Sequence, residues 1–201
     1  MIAIIDYGAG NIKSLQSALL GLDMKSCLTS DKQVIANSKA IILPGVGAFK
    51  DAMDALHELG LSEVLQKEAD KGKPILGICL GMQLLYEKSF ENGEWNGLAI
   101  LDGVIKRIDG NVKVPHMGWN TLAHHQSTNL LANINEQEYV YFVHSYYVDE
   151  FNKQELISSC EYGVQVPAIV QKDNIFGMQF HPEKSGKNGL QLLKNFGEMV
   201  L

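Results

Sequence analysis

Cys79 stands two residues from Gly77 on one side and from Gly81 on the other, and near the far end of the chain His181 and Glu183 flank Pro182. A thiol, an imidazole and a carboxylate are the parts of a nucleophilic triad. The imidazole holds the thiol proton and the carboxylate orients the ring and stabilises its charged form. G-x-C-x-G is the sulfur version of the strand-to-helix elbow that lifts a nucleophile to the top of a sheet, where small neighbours avoid collisions with adjacent strands or substrate. The amides that open the following helix would face the sulfur and favour the thiolate, the form that attacks carbonyls. Read alone, Cys79 also fits an inert core cysteine. His-Pro-Glu alone also fits a solvated turn at a strand end. The chemical reading gains from the pair: a strand-end cysteine early and a strand-end His/Glu late is the spacing expected when the fold, not local sequence, assembles a triad.

The elements that must position these groups follow from periodicity. The apolar run 75–78 predicts a buried strand ahead of Cys79, and the apolar-rich segment from Met82 predicts a helix after it. Ile2-Ala3-Ile4-Ile5 predicts a strand ended by the glycine-rich turn Asp6-Tyr7-Gly8-Ala9-Gly10-Asn11. Ile12, Leu15, Ala18, Leu19 and Leu22 then mark a helix face that Asn11 could cap. A dinucleotide fingerprint would need a third glycine where Lys13 stands, so this turn does not support a nucleotide cofactor. Ala40-Ile41-Ile42-Leu43 predicts the next strand, and Phe49, Met53 and Leu56, then Leu61, Val64 and Leu65, mark helices. Such alternation implies a parallel, doubly wound sheet with ligands at the C-terminal strand ends.

Between them, Pro44-Gly45-Val46-Gly47 fits a plain turn. Beside a nucleophile elbow it also fits an oxyanion strand, in which its backbone amides and that of Leu80 donate to a tetrahedral intermediate. From Gly97 on, shorter segments of β composition (98–105, 119–122, 139–148, 157–162, 168–171, 175–180) are joined by gaps too short for crossover helices, which predicts antiparallel pairing. Leu190, Leu193, Phe196 and Val200 return to helical spacing. The expected fold is α/β: a central mixed, mainly parallel sheet flanked by helices in three layers, with smaller antiparallel strands.

The 201 residues are 46% hydrophobic with a net charge of -6, which predicts a single domain over 1–201 with a sufficient core and argues against nucleic-acid binding. No long apolar run predicts a membrane span and no leader pattern opens the chain, so a cytoplasmic protein is expected. Cys27, Cys79 and Cys160 are few, odd in number and widely spaced, which fits reduced thiols. No metal-ligand spacing occurs, and His124-His125 is expected in a solvated loop. Neither metal nor cofactor is expected.

Gly77-Ile78-Cys79-Leu80-Gly81-Met82-Gln83 and Gly177-Met178-Gln179-Phe180-His181-Pro182-Glu183 resemble the class I, triad-type glutamine amidotransferases. Within that group, five stretches resemble the glutaminase subunits of imidazole glycerol phosphate synthase: the turn beginning at Asp6, Pro44-Gly45-Val46-Gly47-Ala48-Phe49, Pro115-His116-Met117-Gly118-Trp119-Asn120, Tyr141-Phe142-Val143-His144-Ser145-Tyr146-Tyr147 and His181-Pro182-Glu183-Lys184-Ser185. The resemblance runs from end to end. It implies that Cys79 attacks the side-chain amide of glutamine, that His181 protonates the departing ammonia, and that Gly47 and Leu80 supply the oxyanion amides. By matching positions, Gln83, Glu91, Ser145 and Tyr146 would bind glutamine. Gln83 also lies one helical turn beyond Cys79, on the same face.

The resemblance further implies a heterodimer. The partner is a (β/α)8-barrel cyclase subunit that takes up the ammonia and makes imidazole glycerol phosphate and aminoimidazole carboxamide ribonucleotide in histidine biosynthesis. Asn11, Trp119, Asn120, Tyr141 and Lys184 match positions near that interface and its ammonia gate. Trp119, between Gly118 and Asn120, fits an exposed loop anchor better than a core residue. The 44–47 backbone would turn catalytic only when the partner is loaded. One departure is Gln165-Val166-Pro167, where the family pattern has an aromatic before the small residue. Three other readings compete: a paralogue feeding a sugar-modifying amidotransferase, a noncatalytic scaffold on the same fold, and a free-standing hydrolase of γ-glutamyl peptides. The intact Cys79, His181 and Glu183 weigh against the scaffold.

Overall fold

In a computed structural model, residues 1–8 and 12–200 are described, and the predicted turn residues 9–11, Asn11 among them, lie outside these. The first half alternates as its apolar pattern predicts: β1 (Ile2–Ile5), α1 (Ile12–Gly21), β2 (Ser26–Thr29), α2 (Lys32–Asn37), β3 (Ala40–Leu43), α3 (Phe49–Glu58), α4 (Ser62–Asp70), β4 (Ile75–Ile78) and α5 (Leu80–Leu84). The second half is mostly strand: β5 (Tyr86–Ser89), β6 (Trp95–Asn96), β7 (Leu101–Arg107), β8 (His116–Thr121), β9 (Ala123–His124), β10 (Tyr139–His144), β11 (Tyr146–Asp149), β12 (Leu156–Glu161), β13 (Gln165–Lys172) and β14 (Ile175–Met178), closed by α6 (Gly186–Val200).

Eight strands form the main sheet in the order β2-β1-β3-β4-β14-β13-β12-β9. From β2 to β14 the neighbours run parallel, and from β14 to β9 antiparallel. This is the mixed sheet expected from the sequence, with helices and smaller sheets on its faces. Because successive side chains of a strand point to opposite faces, Ile2 and Ile4 join one core with Leu15 and Leu19 of α1 and Leu192, Leu193 and Phe196 of α6. Ala3 and Ile5 join the other, with Ile35 of α2, α3, α4 and the small sheet β11-β7-β5-β6. A strand buried on both faces must be apolar throughout, which is why β1, β3 and β4 stand out as continuous runs.

Four local expectations are corrected. The helix after Cys79 begins at Leu80, not Met82, and is only five residues long. The stretch from Leu80 to Leu85 is buried on all sides, so it has no amphipathic face to extend before the chain enters β5. Segment 98–105 becomes a strand only at Leu101, because the amides of Leu98, Ala99 and Ile100 bond back to the carbonyls of Leu84, Tyr86 and Leu85. Segment 139–148 is two strands in two sheets, broken at Ser145, whose carbonyl accepts the Ile108 amide. His124 is not in a solvated loop: it closes β9, half-buried, and its Nδ1 pairs with Ser158 Oγ at 2.8 Å while His125 pairs with Ser159.

Candidate active site

Three neighbouring parallel strands, β3, β4 and β14, end side by side, and each delivers one part of the site. β3 runs into the 44–47 turn, β4 into Cys79, and β14 into Gln179, Phe180 and His181. Cys79 and Gln179 lie 100 residues apart in the chain, yet Gln179 Nε2 points at Cys79 Sγ from 3.9 Å. The Cys79 amide donates to the Met178 carbonyl at 2.7 Å, which ties the elbow to β14.

The elbow is strained. Cys79 has φ 54° and ψ -114°, a region that side chains rarely adopt, and such outliers cluster where a side chain must be held in one direction. Its flanking glycines are required by close approach. A Cβ on Gly77 would sit 2.6 Å from Met82 Cα, and one on Gly81 would overlap the Leu43 carbonyl oxygen. Removing both side chains lets α5 lie directly on the ends of β3 and β4. Leu80, as the first helical residue, has an amide with no acceptor inside the helix.

His181 is buried, and its Nδ1 pairs with Glu183 Oε1 at 2.9 Å. Burial pushes its pKa down, but the Cys79 sulfur and the Glu183 carboxylate outweigh that and hold it up at about 9. The second nitrogen, Nε2, is buried without a hydrogen-bond partner. A free buried nitrogen on the side opposite Glu183 is the one a base needs to exchange a proton with a thiol or a leaving group.

These groups open into a pocket of about 350 Å³ lined by Val46, Gly47, Cys79, Leu80, Gln83, Glu91, Pro115, Val143, His144, Ser145, Tyr146 and His181. That volume suits a small-molecule ligand. Gly47 has φ 101°, which reserves the position for glycine although nothing crowds its Cβ. Glu91 accepts the amide of Phe49 at 2.8 Å, where Ala48 offers no side-chain cap to α3. Both protons of Gln83 Nε2 are committed, to the Tyr146 carbonyl at 2.9 Å and to Gln179 Oε1 at 3.0 Å, which leaves Oε1 for a ligand.

The remaining expected residues lie outside the pocket. Trp119 is 55% exposed, on strand β8 and not in a loop, and packs edge-on against half-buried Tyr141 with centroids 5.8 Å apart. Lys184 is exposed just beyond the His181 turn and Asn120 is half-buried on β8. Among the described residues no His/Cys/Asp/Glu cluster could hold a metal ion and no helix is long and apolar enough to cross a membrane. The three cysteines are free thiols.

Sequence reasoning missed Tyr7, Gln179, His116 and His144. Tyr7 donates to the Pro44 carbonyl at 2.7 Å, and its phenol is raised well above the ordinary range by burial and the nearby Cys79. His116 and His144 are adjacent partners across β8 and β10, with His116 Nδ1 3.0 Å from His144 Nε2. Burial lowers the first to about 4 and the second to about 3. A histidine on the inward face of an alternating strand was the available signal.

The sequence profile of the family described as glutamine amidotransferase class-I matches residues 3–199. The chain is 62% identical over 200 residues to the protein named imidazole glycerol phosphate synthase subunit HisH of Oceanobacillus iheyensis, with all of both chains covered. It is 51% identical to the protein of that name from Caldanaerobacter subterraneus, covering all of this chain and 98% of the relative. Among solved structures, a glutamine amidotransferase superposes with TM-score 0.79 at 18% identity, covering 100% of this chain and 99% of the other. PurLQS from Thermotoga maritima superposes with TM-score 0.77 at 18% identity, covering 100% and 98%. At such identities these structures speak to the fold.

Proposed function

The chain belongs to the class I glutamine amidotransferase family, and from that premise we propose that it hydrolyses glutamine with a Cys79-His181-Glu183 triad, as the glutaminase subunit of imidazole glycerol phosphate synthase in histidine biosynthesis. The observation that carries the triad is the meeting of Cys79, the His181–Glu183 pair, Gly47 and Leu80 around one pocket at the ends of three adjacent strands.

Cys79 Sγ attacks the side-chain amide carbon of glutamine, and the thiol proton rests on His181 Nε2. The oxygen turns negative as the carbon becomes tetrahedral, and the amides of Gly47 and Leu80 donate to it. His181 then protonates the amide nitrogen, the C–N bond breaks, and ammonia leaves a thioester on Cys79. Water attacks that thioester, His181 takes its proton and returns it to sulfur, and glutamate departs. Glu183 holds Nδ1–H, which fixes the tautomer that presents Nε2 to the reacting atoms. Gln83, Glu91, Ser145 and Tyr146 line the space where glutamine would lie. No step needs a metal or cofactor.

The partner in this reading is the cyclase subunit, in a heterodimer that passes ammonia directly between sites. The lyase step belongs to that partner. Trp119, Asn120, Tyr141 and Lys184 would face it. The exposed Trp119 on a two-stranded ribbon, close to the turn that carries His181, supports that surface. A reaction confined to the cytoplasm fits the three free thiols.

Glutamate release from glutamine by the purified chain, alone and mixed with a family cyclase subunit with and without its ribonucleotide, tests the reading. Release that rises strongly in the loaded mixture is expected. Equal release by the lone chain would count against a partner-gated subunit, and no release in any mixture would overturn the glutaminase.

A further inference from the structure

Behind the pocket runs a chain of four side-chain and main-chain groups whose direction can be deduced from both ends. At the outer end, Asn120 Oδ1 accepts the Thr121 amide at 2.8 Å, so the other half of its side chain is the NH2. That Nδ2 donates to the Glu161 carbonyl at 3.1 Å and meets His116 Nε2 at 3.3 Å, where the imidazole can only accept. His116 must therefore carry its proton on Nδ1, which faces His144 Nε2 at 3.0 Å. At the inner end His144 Nδ1 meets the Tyr146 carbonyl at 2.9 Å, and a carbonyl has no proton to give, so His144 too is protonated on Nδ1. The polarity deduced from Asn120 inward and from Tyr146 outward is the same.

Each ring in such a chain must keep one nitrogen bare, so a proton added to either ring breaks a link. The environment enforces neutrality. His116 is stacked between Phe142, with centroids 4.7 Å apart, and Tyr162, 3.9 Å apart, and both histidines are buried. Burial holds their pKa values far below neutrality. The inner end is the carbonyl that also holds Gln83, and the outer end neighbours the exposed Trp119 on β8.

We propose that His116 and His144 are positioning residues: a neutral, one-directional hydrogen-bond relay from Asn120 on the outer strand β8 to the Tyr146 carbonyl. The relay sets the 143–146 wall and Gln83 of the glutamine pocket. The inference rests on the glutaminase reading for its kinetic consequence, but the relay itself is a property of the chain. No hydrogen bond of the relay ends on the sulfur, which meets that wall only at the Val143 carbonyl, 3.8 Å away, so the relay acts on glutamine binding more than on turnover. A change at Asn120, on the face assigned to the partner, is thereby felt at the substrate.

The kinetic test compares wild type, His116→Phe, Asn120→Ala and the double variant at saturating cyclase subunit. Phenylalanine keeps the stack and removes both hydrogen bonds. Each single change should raise KM for glutamine about 5- to 10-fold with kcat within about 3-fold, and the double should be no worse than the worse single. An unchanged KM in His116→Phe of wild-type thermal midpoint, or effects that multiply in the double, would overturn the relay. Long-range proton–nitrogen NMR of the unmodified chain, labelled at histidine nitrogens, needs no activity: both rings should be neutral with the proton on Nδ1 at pH 7. A cationic ring or an Nε2 proton on either overturns it. Absence of glutamate release by the wild-type mixture would instead overturn the glutaminase reading, and the NMR result would still decide the relay.

Discussion

The backbone of Tyr141 is tied on both sides to the turn that carries His181. Its carbonyl accepts the His181 amide at 3.0 Å, and its own amide donates to Ser185 Oγ at 2.9 Å, while that hydroxyl donates to the His181 carbonyl at 2.6 Å. Strand β10, whose Tyr141 side chain packs on Trp119, thus reaches the turn of the His181 imidazole through main-chain bonds. Ser185→Ala leaves the half-buried Tyr141 amide without its partner, while the His181 carbonyl keeps the Lys184 amide at 3.0 Å, and should cost about 1 kcal/mol of stability in urea titration. It should also lower kcat, since the His181 turn loses its clamp. Wild-type stability and kcat would mean that the clamp contributes nothing.

The pKa of His181 is held at about 9 against the pull of burial by Cys79 and Glu183. The imidazolium that faces the sulfur is lost as pH rises through that value, so kcat/KM of the complex should fall on the alkaline side near pH 9. Glu183→Gln removes one of the two supports and should move that limb to lower pH. The same shift has a stability consequence. A folded-state pKa raised above the ordinary 6.5 contributes fully below pH 6.5 and is lost as pH climbs to about 9. Between pH 6 and pH 10, wild type should therefore lose more stability than Glu183→Gln in paired urea titrations.

Cys79→Ala should abolish glutamine-dependent turnover, by roughly a thousand-fold or more, because no second thiol lines the pocket. Ammonium salts supplied to the complex should still sustain the cyclase reaction. Loss of both activities would assign Cys79 a structural part.

Gly81→Ala tests the elbow itself. Its Cβ would overlap the Leu43 carbonyl oxygen, a backbone atom at the end of a buried strand that cannot swing aside. Overpacking of this kind costs about 1–3 kcal/mol or more, and here it also tilts α5 and the Leu80 amide. A fall in unfolding free energy together with a large loss of kcat is expected. Wild-type values of both would mean that the strand ends can yield.

The parallel half of the fold was legible because β1, β3 and β4 are buried on both faces, and that requirement leaves unbroken apolar runs bounded by glycine and proline. β2 and α2 were not: Ser26–Thr29 is a half-exposed edge strand whose side chains obey no strict period. The break at Ser145 was hidden as well. No glycine or proline marks it, and only the departure of β11 to a second sheet makes it a corner of the pocket.

At the site, sequence alone determined which side chains carry the proposed chemistry. Cys79 between two glycines and His181 two residues before Glu183 are local patterns, set by side-chain type and by the need for an elbow without neighbouring Cβ atoms. Their convergence is tertiary, because the adjacency of β3, β4 and β14 follows from sheet order and not from spacing along the chain. Tyr7 on the Pro44 carbonyl, Gln179 beside the sulfur and the His116–His144 pair were decided there too. A hydrogen bond between distant residues depends on which atoms the fold brings within 3 Å or so, and on which of them already holds a proton. Neither is written in any short stretch of sequence.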